Sequence, residues 1–289
     1  MTQSVSLGKN NVGFGKPIYF VAEIGINHNG DTNIAKKLIG AAINIGCNAV
    51  KFQKRNPDIC IPENQKNIVR GTIWGRITYL EYRKRIEFNK KQYKEISNYC
   101  KKKKIDWFCS CWDIDSVNFI KSFNPICYKI PSACLTNYEL LKIIKKQNKP
   151  ILLSTGMSTI KEIDAAIKIL KKKNLVIFQS TSSYPCEINE LNLKVIPNFM
   201  KRYKIPIGYS GHEARVSPSI AAFVLGACII ERHLTLDRSM WGTDQAASLE
   251  PAGYKILIDS CNRIQEALGD GKKKVFKSEE FAKQKLRII

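Results

Sequence analysis

Apolar runs of strand length alternate with amphipathic, helix-period segments along the whole chain, and this alternation restricts the fold more than any other feature. The candidate strands cover residues 19–24, 49–53, 106–109, 126–130, 151–154, 176–180, 206–209 and 228–231. Between them lie helical patterns at 33–45, 91–103, 116–122, 138–146, 160–170 and 218–225. Strand-helix alternation pairs strands in parallel through right-handed crossovers. Eight units without a GxGxxG after the first strand predict a closed (β/α)8 TIM barrel in a single domain rather than a doubly wound sheet. The barrel is expected over residues 1–270, with a C-terminal tail at 271–289.

One connection is swollen: the second strand ends near Gln53 and the third begins near Ile105. Its extra stretch, residues 55–88, lies between a strand and its helix, so it should emerge where barrel enzymes keep their active sites and act as a lid. Residues 66–90 hold seven basic and two acidic side chains, interleaved with Trp74, Tyr79, Tyr82 and Phe88. The plainer alternative is a solvated surface helix from Tyr79 onward.

Composition narrows the partners. With 44% hydrophobic residues the chain can bury a full core, which excludes disorder. A net charge of +22 raises nucleic acid as a ligand. The lysines, however, fall in short runs (101–104, 145–146, 171–173, 272–274) mixed with Asn and Ile, the pattern of a solvated surface. No nucleic acid partner is expected, and a small anionic substrate uses the same field better. The longest apolar stretches, such as 220–230, fall short of the roughly 20 residues needed to span a bilayer, so no membrane partner is expected either. Residues 1–16 are polar and glycine-rich, without the apolar core of a signal peptide. Ten cysteines with no C-x-x-C pair read as reduced thiols of a cytoplasmic protein.

The strand ends are rich in polar residues. Glu23 closes the first strand and Lys51 and Gln53 the second, so a carboxylate and an ammonium should face each other. A buried charge costs several kcal/mol unless paired or bound to a ligand, which leaves a structural ion pair as the alternative to catalysis. Lys129 ends the fourth strand. Two lysines with the hydroxyls of Ser132, Ser154 and Ser182 suit a phosphate-bearing acid, against the competing use of one lysine as a Schiff-base amine. His212 and His233 lie at or after the last two strands, where neighbouring imidazoles suit a divalent metal. Asp244, in the loop before the final helix, could bind a polyol hydroxyl, while Ser248 and Glu250 read as helix-start residues. His28 has no assigned role.

The stretches AEIGINHNGD, KFQK, WGRITYLEYRKRIEF, YKIPSA, LSTGMS, STSSYP, IGYSGHE, ERHLTLD and GTDQAASLEP, in this order, closely resemble the sialic acid synthase family over nearly the whole chain. The resemblance implies condensation of phosphoenolpyruvate with the open-chain aldehyde of N-acetylmannosamine or a related sugar. It implies manganese or magnesium on His212 and His233, and phosphoenolpyruvate held by Lys51, Lys129, Ser132, Ser154 and Ser210. Gln53, Tyr184 and Asp244 would touch the sugar, and Glu23 would stand near the reacting carbons.

Three departures from the family pattern matter. Cys109-Ser110-Cys111 replaces a threonine hydroxyl, which Ser110 could supply. Ser182 stands where some members carry Asn. Family members continue beyond the position of Ile289 into a small antifreeze-like domain that reaches a partner subunit, so no such domain is expected here and the homodimer of the family is in question. Arg76, Arg83 or Arg85 of the insertion is expected to replace part of that domain's cover over the sugar, and the basic insertion favours a charged acceptor. The acceptor itself could be N-acetylmannosamine, its phosphate, a legionaminic or pseudaminic precursor, or a simple aldose. A non-catalytic anion- and sugar-binding barrel is the remaining alternative.

Overall fold

In a computed structural model describing residues 4–288, the alternation resolves into a closed ring of eight parallel strands. Residues 1–3 and 289, the outer ends of the expected barrel domain and tail, lie outside the described residues. A hairpin of β1 (Val5–Leu7) and β2 (Asn10–Val12) comes first. Barrel strands β3 (Tyr19–Gly25) and β4 (Ala49–Lys54) follow. The swollen connection contributes its own hairpin, β5 (Val69–Thr72) and β6 (Gly75–Thr78). The barrel then continues through β7 (Asp106–Cys111), β8 (Tyr128–Ile130), β9 (Ile151–Ser154), β10 (Leu175–Ser180), β11 (Ile207–Gly211) and β12 (Ile229–His233), which closes against β3.

Strand side chains alternate between two cores. In β3, Phe20, Ala22 and Ile24 join the layer between barrel and helices, whereas Tyr19 and Val21 join the barrel interior. The next inward position is Glu23. The same parity puts Ala49 below Lys51, Phe108 below Ser110, Cys127 below Lys129, Leu152 below Ser154, and Ile229 below Glu231. The interior is therefore apolar at its base and polar at the C-terminal end of the strands.

The helices are built by local rules. Thr32–Ile45 starts at Asp31, whose carboxylate accepts from the Asn33 N–H at 2.6 Å, and ends at Gly46 in the left-handed region. Its Ala35, Leu38, Ile39 and Ala42 are fully buried, contributing about 1.5–3 kcal/mol for each large side chain. Ile160–Leu170 begins with a capping box between Thr159 and Glu162.

Two features depart from the sequence reading. The polar N-terminal segment is the barrel's plug: Val5, Leu7 and Val12 are buried and pack with Tyr19, Phe108 and Phe178. Three side chains suffice for this, too few to leave a periodic signal. The insertion helix Tyr79–Ile86 is also no plain surface helix. It buries Tyr82, Arg83 and Ile86, and Tyr82 meets Trp241 edge-on at 5.2 Å. All ten cysteines are free thiols. No helix among the described residues is long and apolar enough to cross a membrane.

Candidate active site

The polar storey of the barrel opens into a cavity of about 190 Å³ at the C-terminal ends of the strands. Register alone places its central pair, since Glu23 is the β-ladder partner of Lys51 and His233 that of Glu23. Lys51 Nζ lies 2.9 Å from Glu23 Oε2, 2.9 Å from Ser110 Oγ and 3.4 Å from Glu231 Oε1. Lys129 Nζ lies 3.1 Å from Glu231 Oε2. The expected pairing of Glu23 with Lys51 is present, inside a larger four-charge cluster.

Burial alone would depress the pKa of Lys51, but the carboxylates of Glu23 and Glu231 overcome it and hold the ammonium above its usual range. Lys129 goes the other way. Burial, only partly offset by Glu231 and aggravated by Lys51, pulls it down to about 8. Against its own burial, Glu231 is kept ionised by Lys129 and Lys51, with its pKa lowered. The Lys129 ammonium also sits 3.5 Å from the centre of the Phe178 ring. Gly208 permits this, because a Cβ there would lie 2.5 Å from that ring.

Around the lysines stand the hydroxyls of Ser110, Ser132, Ser154, Ser180, Ser182 and Ser210. Ser210 Oγ donates to Glu231 at 3.2 Å. The Gly156 N–H donates to Ser132 Oγ at 3.1 Å, and a Cβ on Gly156 would meet Ser182 Oγ at 2.3 Å and Ser132 Oγ at 2.8 Å. Glycine at this position is what lets backbone and hydroxyls line one concave wall. Short donors facing two ammonium groups form a cradle for an oxyanion.

In the same cavity, the His212 and His233 rings lie 5.6 Å apart. His212 Nδ1 stands 2.6 Å from the Thr181 carbonyl oxygen, which can only accept. The neutral ring therefore keeps its proton on Nδ1 and turns a lone pair at Nε2 toward the cavity. Burial, with His233 adding to it, lowers the His212 pKa to about 3, so neutrality is the ordinary state. His233 Nδ1 is buried without a hydrogen-bond partner. The Nε2 lone pair of His212 and the neighbouring His233 ring, in a cavity that also admits oxygen ligands, fit a divalent cation completed by water and substrate oxygens. No cluster of three or more His, Cys, Asp or Glu side chains is poised to hold a metal among the described residues, so the protein would supply two ligands only.

Each imidazole is anchored through its chain neighbour. Glu213 follows His212 and Arg232 precedes His233, and the two side chains pair at 2.7 Å with no solvent exposure. Ser219 and Tyr209 complete the clamp, donating to Glu213 at 2.8 and 2.9 Å. Arg232→Met should leave Glu213 charged and unpaired and lower stability by about 3–5 kcal/mol. Urea denaturation reads this, and a loss below about 1 kcal/mol would show that the clamp is not structural.

The cavity collects Glu23, Lys51, Gln53, Ser110, Lys129, Ser132, Ser154, Ser182, Tyr184, Ser210, His212 and His233, which is every expected site residue except Asp244. Asp244 stands beside it, its Oδ2 3.7 Å from His233 Nδ1. Ser248 is not a helix-start residue: it donates to the Asp244 carbonyl at 2.6 Å and accepts from Asn27 at 2.8 Å, steadying the loop that carries Asp244. Glu250 does precede the helix Pro251–Leu268, with its carboxylate on the Arg238 N–H at 3.0 Å. His28 is a structural residue, stacked on Phe88 at 4.0 Å and accepting from the Gly30 N–H.

Of the insertion arginines, Arg76 and Arg85 are exposed and do not border the cavity; Arg85 lies 5.6 Å from the Trp74 ring instead. Of these three only Arg83 is buried, and it does not line the cavity either. Glu231 was absent from the expected set, although its position two residues before His233 on one strand puts both on the same face. Parity along β12 would have found it.

Comparison with known proteins agrees with this geometry. Residues 38–273 match the NeuB family model. The chain is 39% identical over 272 residues to the N,N'-diacetyllegionaminic acid synthase of Campylobacter jejuni, covering 92% of this chain and 81% of that protein. It is 35% identical over 282 residues to the N-acetylneuraminate-9-phosphate synthase of Homo sapiens, covering 95% and 78%. The crystal structure of the N-acetylneuraminic acid synthetase from Leptospira borgpetersenii in complex with citrate superposes with a TM-score of 0.88 at 32% identity, covering 99% and 96%. The chain therefore belongs to the NeuB family and is an enzyme of the sialic acid synthase type.

Proposed function

We propose that the chain condenses phosphoenolpyruvate with the open-chain aldehyde of an N-acetylated hexosamine, N-acetylmannosamine or a relative, giving a nonulosonic acid and phosphate. One observation carries this reading: a single cavity holds two ammonium groups, a hydroxyl cradle, two neighbouring imidazoles and, between them, Glu23. The ammonium groups and hydroxyls suit an enol phosphate, the imidazoles an electrophilic carbonyl. Manganese or magnesium held by His212 and His233 would supply Lewis-acid polarisation of the aldehyde oxygen.

The chain's own groups do the rest. Lys51 and Lys129 take the carboxylate and phosphate, and the serines take the remaining oxygens. C3 of phosphoenolpyruvate adds to the aldehyde carbon, and positive charge develops at C2. Glu23, held by the Gln53 amide at 2.9 Å and by Lys51, stabilises that charge and accepts the proton of the water that attacks C2. The tetrahedral hemiketal phosphate then breaks its C2–O bond and releases phosphate. Gln53, Tyr184 and Asp244 position the sugar, the Tyr184 ring standing 4.1 Å from that of His212. We read residues 1–270 as the catalytic barrel, 55–88 as its cover and 271–289 as a tail. Ten free thiols support a cytoplasmic location.

The test is phosphate release from phosphoenolpyruvate with manganese and a panel of aldehyde sugars, the keto acid being identified by mass spectrometry. Silence across the panel would overturn the reading. A pH dependence follows from Lys129. Its ammonium titrates near pH 8 in the free protein and is raised by a bound dianion. Below that pH, binding needs no proton uptake; above it, affinity should fall by about tenfold per pH unit. Calorimetric titration with phosphoenolpyruvate between pH 7 and pH 9.5 measures it, and a flat profile would remove Lys129 from the anion site.

A further inference from the structure

Among the described residues, the buried Lys and Arg side chains have carboxylate partners with one exception. Lys51, Lys129 and Arg232 each pair with glutamate at 3.1 Å or closer. Arg83, only 4% exposed, has no carboxylate within 4 Å among the described residues, and its Nε and Nη2 make no hydrogen bond. A second guanidinium lies near enough to feel it: Arg83 is the main neighbouring charge acting to lower the pKa of Arg55, after burial itself. Arg55 is 9% exposed and its Nε is likewise without a hydrogen bond. The acid in contact with Arg55 is Glu87, at 3.7 Å, which already serves Lys54 at 3.2 Å. Asp113, the other buried acid of this region, is taken up by the Asn56 and Ser116 N–H groups and the Ser116 hydroxyl. Lys54 and Arg55 thus share one carboxylate, and Arg83 has none within 4 Å among the described residues.

This excess charge borders the reaction cavity. Arg55 Nη2 donates to Gln53 Oε1, and the Gln53 amide donates to Glu23. The Arg55 guanidinium lies 3.7 Å from the centre of the Trp112 ring, and Trp112 and Gln53 both line the cavity. Arg83 comes from the insertion helix Tyr79–Ile86; neither guanidinium lines the cavity itself, and Arg55 touches two residues that do. Two desolvated guanidiniums with unused N–H donors, one residue outward from the sugar-facing Gln53, are destabilising unless a ligand brings negative charge.

We propose that Arg55 and Arg83 form an anion subsite for a phosphomonoester at the end of the acceptor sugar remote from its aldehyde. The inference rests on the condensation reading above. It makes the acceptor a phosphorylated aldose, the fork-shaped donors matching the oxygens of a dianion.

The experiment compares N-acetylmannosamine with its 6-phosphate in the whole protein, by kcat/KM with manganese and phosphoenolpyruvate and by calorimetric Kd without turnover. The phosphate ester should be preferred at least about tenfold in both. In Arg83→Met that preference should collapse toward one, and Arg83→Lys should restore part of it. Because Arg83 has no partner to lose, Arg83→Met should keep or raise the urea midpoint, which separates ligand recognition from folding. Equal or better use of the neutral sugar, or an equal loss for both sugars in Arg83→Met, overturns the subsite. Absence of keto acid from either sugar, with the Kd preference intact, would sink the condensation reading and leave the anion subsite standing.

Discussion

Glu23→Gln should lower turnover by about 10²–10⁴-fold while phosphoenolpyruvate still binds. The carboxamide keeps the shape of the side chain and can still accept from Gln53, so the cavity wall is preserved. It loses the negative charge and the proton-accepting oxygen. Lys51 retains Ser110 at 2.9 Å and Glu231 at 3.4 Å, which keeps the ammonium in place for the carboxylate of the substrate. The effect belongs in kcat rather than KM, because the charge that Glu23 meets is absent from the ground state. Steady-state kinetics with calorimetric binding of phosphoenolpyruvate would separate the two. Unchanged turnover would remove Glu23 from the chemistry and return it to the role of a structural partner for Lys51.

His233→Ala and His212→Ala should each abolish measurable manganese binding at micromolar metal and reduce kcat/KM by at least about a thousandfold, the equivalent of roughly 4 kcal/mol. With only two protein ligands, each imidazole is half of the donor set. The folds should survive, because neither ring makes a core contact that the Arg232 and Glu213 clamp depends on. Manganese electron paramagnetic resonance and urea denaturation together distinguish loss of the cation from loss of structure. Full metal binding by either variant would disprove the assignment of these imidazoles.

Barrel order and most strand ends were legible because apolar runs of strand length alternate with helix-period segments along the whole chain. The 151–154 strand and the 160–170 helix appear with the bounds their patterns indicate. Glu23, Lys51, Lys129, His212 and His233 could be named before any coordinates because they are ionisable or metal-ligating residues at or just after strand ends, where a barrel keeps its chemistry. Glu231 was available by parity, two residues before His233.

Other features could not be read locally. The N-terminal plug works through three side chains whose partners, Phe108 and Phe178 among them, are about a hundred or more residues away. Whether an insertion arginine is exposed or buried depends on how the helix Tyr79–Ile86 lies on Trp241, a contact between segments far apart in the chain. The sequence by itself determined the strand-helix alternation and the chemical types at the strand ends, since these are written in local runs of apolar and polar residues. Only the tertiary structure decided which charges are paired and which stay unpaired. Pairing depends on distances of a few ångströms between side chains from different strands, and those exist only once the barrel has closed.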